Sequence, residues 1–175
     1  MDLDSLRFPV GRLQVDPAPG DDLLKACVRA VADLPDALDR AVHGLDDAAL
    51  DTSYRPDGWT LRQVVHHLAD SHANALIRFK MALTEDEPAI KAYDENAWAR
   101  LPDSAGDIGS SLAIVRGLHA RWEALLTGAP ADWPTRTLVH PERGRLTLAF
   151  MIQLYAWHGR HHVAHITTTR ERLGL

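Results

Sequence analysis

Residues 60–83 have the sequence TLRQVVHHLADSHANALIRFKMAL, which carries the clearest helical pattern in the chain. Thr60 followed by Gln63 matches a capping box, so a helix is predicted to begin there and to run to about Leu83. Its apolar residues recur at steps of three and four, the spacing of one buried helical face. They are Leu61, Val64, Val65, Leu68, Leu76, Phe79 and Leu83. This stretch therefore predicts a helix that packs against other helices.

Three further segments have helical periodicity, so the four predicted helices span about residues 21–43, 60–83, 110–126 and 147–173. Asp21 or Asp22 is expected to cap the first helix, and Pro35 is expected to kink it or divide it. Four amphipathic helices joined by connections of unequal length predict an all-α fold. The expected architecture is a four-helix bundle with at least one long crossover connection.

The connections differ in composition. Residues 1–20 are rich in proline and glycine and predict an irregular N-terminal arm, while residues 44–58 resemble a linker. Residues 84–109 form a long polar connection, which favours a lid or a pocket wall. A small hairpin is expected around the turn at residues 141–144. With 175 residues, 46% of them hydrophobic, the chain is predicted to be a single domain over residues 1–175.

Composition narrows the class of function. The net charge of -5 and the absence of a basic patch argue against nucleic acid or anionic membrane as a partner. The N-terminus lacks a signal-peptide pattern and no apolar run is long enough to span a bilayer, so a cytoplasmic location is expected. Cys27 is the only cysteine, which excludes an intrachain disulfide and a thiolate-based metal site. A small buried side chain is its expected role.

Ten histidines are unusual in that most of them cluster. His161 and His165 are four residues apart, so one helix face could offer both imidazoles to a single ion, and His158 and His162 form a second such pair. His67, on the second predicted helix, can supply a third ligand. A lone histidine is more often a core residue than a ligand, but several on one arc favour a metal site, because buried imidazoles without an ion each need another partner.

Helical spacing does not choose between the pair His161/His165 and the pair His158/His162. His72 lies in the apolar stripe and is expected in the core, and His119 is expected to be a core residue or to support the ligands. The stripe that carries His67 continues through three polar residues that could line a pocket. They are Ser71, Asn74 and Arg78.

Long stretches of the sequence closely resemble the YfiT-like branch of the DinB superfamily. They are LDTSYRPDGWTLRQVVHHLADSHANALIRFKMALTEDEPAIKAYDENAW (50–98), LHARW (118–122) and YAWHGRHHVAHIT (155–167). The resemblance implies a four-helix bundle of the DinB type, homodimers, and one divalent ion per chain, with zinc preferred and nickel as the alternative. It also implies that His67, His161 and His165 are the metal ligands.

The resemblance leaves three functions open. In related proteins the ion activates a low-molecular-weight thiol of the bacillithiol type for S-transfer to an electrophile, and this function is preferred here. A metal-dependent hydrolase that uses metal-bound water is the second, although no HExxH motif supplies a general base. Asp70, Asp94 and Glu95 are candidate carboxylates for that reaction, and Tyr93, Trp98 and Trp157 could wall the pocket. The third is a non-catalytic, metal-binding stress protein.

Overall fold

A computed structural model describes residues 2–175 and is mostly helical. The helices are α1 (Leu3–Arg7), α2 (Asp21–Ala32), α3 (Leu34–Val42), α4 (Asp47–Leu50), α5 (Leu61–Thr84), α6 (Glu95–Trp98), α7 (Gly109–Thr127) and α8 (Leu148–Leu173). A two-stranded antiparallel sheet of β1 (Thr137–His140) and β2 (Gly144–Thr147) precedes α8. Two 3-10 turns, Pro102–Ala105 and Trp133–Thr135, complete the regular structure.

The long helices form the predicted four-helix bundle. Helices α2 and α3 together make its first helix, which packs against α7 and α8, and α5 packs against the same two helices. Pro35 divides the first helix as expected, because α2 ends at Ala32 and α3 begins at Leu34 with the proline in its first turn. The histidines of α5 and α8 consequently face each other across a direct helix-to-helix contact.

Local sequence rules explain most helix ends. Thr60 and Gln63 form the complete capping box at the start of α5, as predicted. The predicted cap of α2 was wrong, because Gly20 is its N-cap. Asp21 and Asp22 lie in the first turn, where their negative charges interact favourably with the positive end of the helix dipole. Two short helices, α4 and α6, were not predicted in the connections that contain them.

The bundle encloses two groups of buried apolar side chains. One is centred on Phe79 and Trp122 and includes the buried Cys27, and the other is centred on Leu38 and Leu68. The described residues include no helix with the length and apolar character needed to cross a membrane.

The hairpin and the N-terminal arm are both held against the bundle. The main chain of Val139 in β1 bonds to Pro88 and Ile90, which ties the long connection after α5 to the hairpin. In the arm, Asp16 and Gln153 of α8 exchange hydrogen bonds of 2.9 and 3.0 Å between main chain and side chain. The arm contains α1 but is otherwise non-helical, and it lies over the part of α8 that carries the histidines.

Candidate metal centre

Three histidines bring ring nitrogens together between α5 and α8. They are His67, His158 and His162, and one nitrogen of each lies within 4.8 Å of the others. The Nε2 atoms of His67 and His158 are 3.1 Å apart. Two nitrogens that bind one tetrahedral zinc ion at 2.0–2.1 Å are about 3.3 Å apart, so this spacing suits neighbouring ligands of one ion. The chemistry and the separation of the donors therefore fit a divalent metal.

The structure places the other predicted ligands, His161 and His165, beside these three residues. His165 turns its Nε2 toward the main-chain oxygen of Arg7 at 3.3 Å, and its ring stacks on Tyr54. His161 stacks on Trp157 at 4.3 Å between ring centroids, and its buried Nδ1 has no hydrogen-bond partner within residues 2–175. Sequence spacing left both i, i+4 pairs open, and the structure brings the pair His158/His162 together with His67.

Burial keeps these histidines neutral at neutral pH. It lowers the pKa of His67 and of His161 to about 4, and that of His165 to about 3. The pKa values of His158 and His162 are also well below the ordinary value, first because of burial and then because of neighbouring histidines. A neutral imidazole keeps a lone pair on one nitrogen, which is the form that binds a metal. The site is therefore a cluster of available lone pairs in a poorly hydrated environment.

A cavity of about 620 Å³ opens onto the three histidines. Its lining includes four arginines from separate parts of the chain, namely Arg55, Arg78, Arg100 and Arg143. Asp57 and Glu95 are the carboxylates in its lining. The cavity combines a candidate metal centre at one side with a basic wall, so it suits a small molecule that carries negative charge.

The three polar residues predicted for the pocket occupy different positions. Ser71 and Arg78 are buried and line the cavity, whereas Asn74 is not in its lining and donates its side-chain amide to the main-chain oxygen of Asp70. Arg78 donates to the main-chain oxygen of Lys91 at 2.9 Å. Its guanidinium forms no ion pair within 4.0 Å with any carboxylate of residues 2–175. A buried cation without a counter-ion favours an anionic ligand.

No carboxylate of residues 2–175 is hydrogen-bonded to the three clustered histidines. Asp94 caps α6 through Ala97, while Asp70 is outside the lining of the cavity. Glu95 does line it, and burial raises its pKa. Glu95 is thus the only one of the three predicted candidate bases that faces the cavity.

Among the predicted aromatic residues, Trp157 lines the cavity. Tyr93 and Trp98 do not line it, and they pack on each other with ring centroids 4.3 Å apart. Sequence reasoning missed Trp59, which packs on His67 at 4.6 Å between ring centroids. It also missed Arg143 and His140, which lie in the hairpin and line the cavity. The predicted turn at residues 141–144 was the only sequence feature from which their position could have been suspected.

The remaining histidines of α5 and α7 have separate roles. His66 points away from the site and bonds to Ser111 at 2.8 Å, as expected when only one of two adjacent histidines faces the cavity. His72 and His119 are completely buried, which confirms their predicted place in the core.

The fold and the site define a class: an all-α bundle with clustered histidines between two helices and an adjoining cavity. Comparison with known proteins agrees with this class. Residues 30–166 match the family model of the DinB superfamily. The chain therefore belongs to the DinB superfamily.

Relatives extend the similarity over nearly the whole chain. A Bacillus cereus protein (strain ATCC 10987) and a Bacillus thuringiensis subsp. konkukian protein, each named "Putative metal-dependent hydrolase", are 47% identical over 171 residues, which is 98% of this chain and 99% of each relative. Among solved structures, YfiT from Bacillus subtilis superimposes with a TM-score of 0.94 at 43% identity, covering 97% of this chain and 98% of that one. It is described as a probable metal-dependent hydrolase with an unusual four-helix bundle topology.

Proposed function

We propose that this protein is a metal-dependent thiol S-transferase, in which one divalent ion activates a low-molecular-weight thiol of the bacillithiol type for transfer to an electrophile. The observation that carries the proposal is the 620 Å³ cavity, which joins three clustered imidazoles to a basic wall. Within residues 2–175, no carboxylate is hydrogen-bonded to these histidines. Zinc is the proposed ion, with nickel as the alternative, because imidazole ligands accept both.

The proposed ligands are His67, His161 and His165, the set that the family resemblance implies. All three line the cavity, and the buried Nδ1 of His161 has no hydrogen-bond partner within residues 2–175, so this nitrogen is open to an ion. A metal-bound histidine usually donates its other ring nitrogen to a fixed acceptor, and the Nε2 of His165 lies 3.3 Å from the main-chain oxygen of Arg7. The competing assignment is His67 with His158 and His162, whose ring nitrogens lie within 4.8 Å of one another.

Neutral imidazoles would hold an ion without reducing its charge, and the ion would supply the acidity that favours the thiolate form of a thiol. The contacts with the thiol and the exclusion of water come from side chains of the cavity. Arg78 and Ser71 line the cavity and hold the polar tail of the thiol, with Arg78 pairing with an anionic group. Trp59 and Trp157 shield the histidines from bulk water, since both rings pack on them.

Hydrolysis is the second candidate function, and the names of the relatives favour it. That reaction is aided by a general base near the attacking water. Glu95 is the candidate, because it lines the cavity and burial raises its pKa toward the range in which a carboxylate accepts a proton efficiently. The third candidate function is non-catalytic metal binding. A purely structural metal site would be closed, whereas this site adjoins a cavity.

The activity is tested with two substrates in parallel. Zinc-loaded, tag-free protein is incubated with a cysteine-based thiol and 1-chloro-2,4-dinitrobenzene, and separately with p-nitrophenyl acetate. We expect the metal to accelerate thiol conjugation, and His67→Gln to abolish the acceleration. His66→Gln is the matched control, because His66 is adjacent, buried and bonded to Ser111 away from the cavity. Metal-dependent ester cleavage without thiol conjugation would establish the hydrolase instead.

The ligand set is tested by the zinc content of single glutamine variants. We expect His161→Gln and His165→Gln to lose the ion after gel filtration, and His162→Gln to retain about one ion per chain. Loss of zinc from His162→Gln with retention by His161→Gln would establish the competing set. A homodimer and a cytoplasmic location remain predictions, which size-exclusion chromatography with light scattering and cell fractionation would test.

A further inference from the structure

Four side chains of α8, spaced four residues apart, form one stripe along the helix. They are Gln153, Trp157, His161 and His165. The N-terminal arm contacts all four and runs along the stripe in the opposite direction, from Arg7 beside His165 to Asp16 beside Gln153. Two of the four side chains are proposed metal ligands, so the arm covers the side of α8 that carries them.

The contact at His165 determines which of its ring nitrogens carries the hydrogen. Its Nε2 lies 3.3 Å from the main-chain oxygen of Arg7. A carbonyl oxygen only accepts, so Nε2 donates, and the Nδ1 of the neutral imidazole keeps its lone pair. Tyr54 stacks on the same ring with centroids 4.0 Å apart, which fixes its plane. The arm therefore leaves one defined nitrogen of His165 for an ion.

The arm holds His161 indirectly, through aromatic rings. Trp157 stacks on His161 with ring centroids 4.3 Å apart, and the ring of Phe8 in the arm lies 6.1 Å away. Trp157 is fixed in turn, because its indole N–H donates to the main-chain oxygen of Gly11 at 3.1 Å. The buried Nδ1 of His161 has no hydrogen-bond partner within residues 2–175, and a buried polar nitrogen without a partner is unfavourable. An ion bound at this nitrogen would remove that cost.

The arm has a conformation of its own that brings these groups to α8. After α1 the chain turns, and the N–H of Gly11 donates to the oxygen of Phe8 at 2.9 Å. Gly11 has a φ of 76°, in the left-handed region that favours glycine. The guanidinium of Arg12 then lies 4.0 Å above the ring of Phe8 and pairs with Asp4 at 2.9 Å. Short-range contacts thus hold the turn that presents the oxygen of Gly11 to Trp157.

We propose that the N-terminal arm is a positioning element of the metal centre, which holds His165 through the oxygen of Arg7 and His161 through Phe8 and Trp157. Metal ligands usually gain their orientation from a second partner of the ring. Here the partners come from a separate segment, and that segment lies outside residues 30–166, the part of the chain that matches the family model. The inference rests on the proposed function in taking His161 and His165 as ligands.

The tautomer of His165 is tested without any metal. Nitrogen-15 NMR of metal-free protein distinguishes a protonated Nδ1 from a protonated Nε2 in a neutral histidine. We expect His165 to carry its hydrogen on Nε2, and a protonated Nδ1 in the wild type would overturn the proposal. This measurement is separate from the proposed function, because a protein that binds no zinc would refute that function and leave the tautomer to be read as before.

A double variant of α8 tests the effect of the arm on the ion. Gln153→Leu removes the hydrogen bonds with Asp16, and Trp157→Phe removes the bond to Gly11 while an aromatic ring remains over His161. By chelator competition, we expect zinc affinity to fall about 10- to 100-fold, the range for lost supporting partners of metal ligands. Trp98→Phe is the control, because Trp98 packs on Tyr93 outside the cavity. Wild-type affinity in the double variant would contradict the proposal.

Two glycines provide a test that leaves every contact side chain in place. Gly11 and Gly44 have φ values of 76° and 79°, and a Cβ atom added to either would meet no atom within 4 Å in the described part of the chain. Alanine is therefore strained equally at both positions, but only Gly11 lies in the arm. We expect Gly11→Ala to weaken zinc binding by about 3- to 10-fold and to produce a mixture of His165 tautomers. Gly44→Ala should behave as wild type in both measurements, and equal zinc affinities of the two variants would overturn the proposal.

Discussion

Arg62 shows how a single side chain holds the connections around the bundle. Its buried guanidinium donates to Asp51 and Asp47 at 2.7 Å each, and to the main-chain oxygen of Gly106 at 3.0 Å. These contacts join α5 to α4 and to the segment before α7. Hydrogen bonds with the two carboxylates raise the pKa of Arg62, so its charge is secured. One residue thus fixes two connections about one helical turn from His67.

Replacing Arg62 with methionine should destabilise the protein by about 1–3 kcal/mol, the cost of losing charged hydrogen bonds whose acidic partners remain exposed. Urea unfolding measures the change. Arg62→Lys keeps the charge but loses the forked geometry of the guanidinium, so its free energy of unfolding should lie between those of Arg62→Met and the wild type. A methionine variant as stable as wild type would show that the aspartates contribute nothing measurable.

At the scale of helices, close packing between α3 and α8 depends on Gly159. A Cβ atom at this position would lie 3.0 Å from both terminal carbons of Leu34. Gly159 adjoins His158, so this contact sets the depth at which α8 lies against the first helix of the bundle. Gly117 in α7 differs, because a Cβ atom added there would have no neighbouring atom of residues 2–175 within 4 Å.

The two glycines predict opposite results from the same substitution. Gly159→Ala should destabilise the protein by about 1–3 kcal/mol through overpacking. Gly117→Ala should stabilise it by up to about 1 kcal/mol, because alanine is the better helix former. Thermal and urea unfolding measure both, and Leu34→Ala should relieve part of the strain in Gly159→Ala. Equal effects of the two substitutions would contradict the packing described for α8.

Sequence rules predicted the helices because their information is local. The capping box at Thr60 fixed one end of α5, and Pro35 indicated the division of the first helix. The orientation of the ring nitrogens was not predictable in this way. His165 faces the oxygen of Arg7, 158 residues away in sequence, and helical spacing contains no information on such a contact. For this reason spacing left two histidine pairs open.

At the scale of the whole molecule, a layer of neutral histidines lies within the bundle, and it makes stability depend on pH. Burial lowers the pKa of His119 from 6.5 to about 4. Between these pH values the unfolded chain binds more protons than the folded chain, so acid favours unfolding. The stability that His119 contributes is complete above pH 6.5 and is lost as the pH falls through about 4.

We therefore expect the free energy of unfolding of the metal-free protein to decrease between pH 6.5 and pH 4, by up to about 1.4 kcal/mol per pH unit for each such histidine. Urea unfolding at several pH values measures this slope. His119→Gln should reduce it, because one titrating group is removed. A free energy of unfolding that is constant over this range would mean that the histidines are hydrated and able to take up protons in the folded state.

The central claim is that clustered imidazoles between α5 and α8 hold one divalent ion, and a cobalt titration tests it most directly. Metal-free, tag-free protein is titrated with Co²⁺ while the visible absorption is followed. We predict saturation at one ion per chain in the wild type, and no saturable site in the double variant His67→Gln/His161→Gln. A double variant that binds Co²⁺ as the wild type does, or a wild type without a saturable site, would contradict the account.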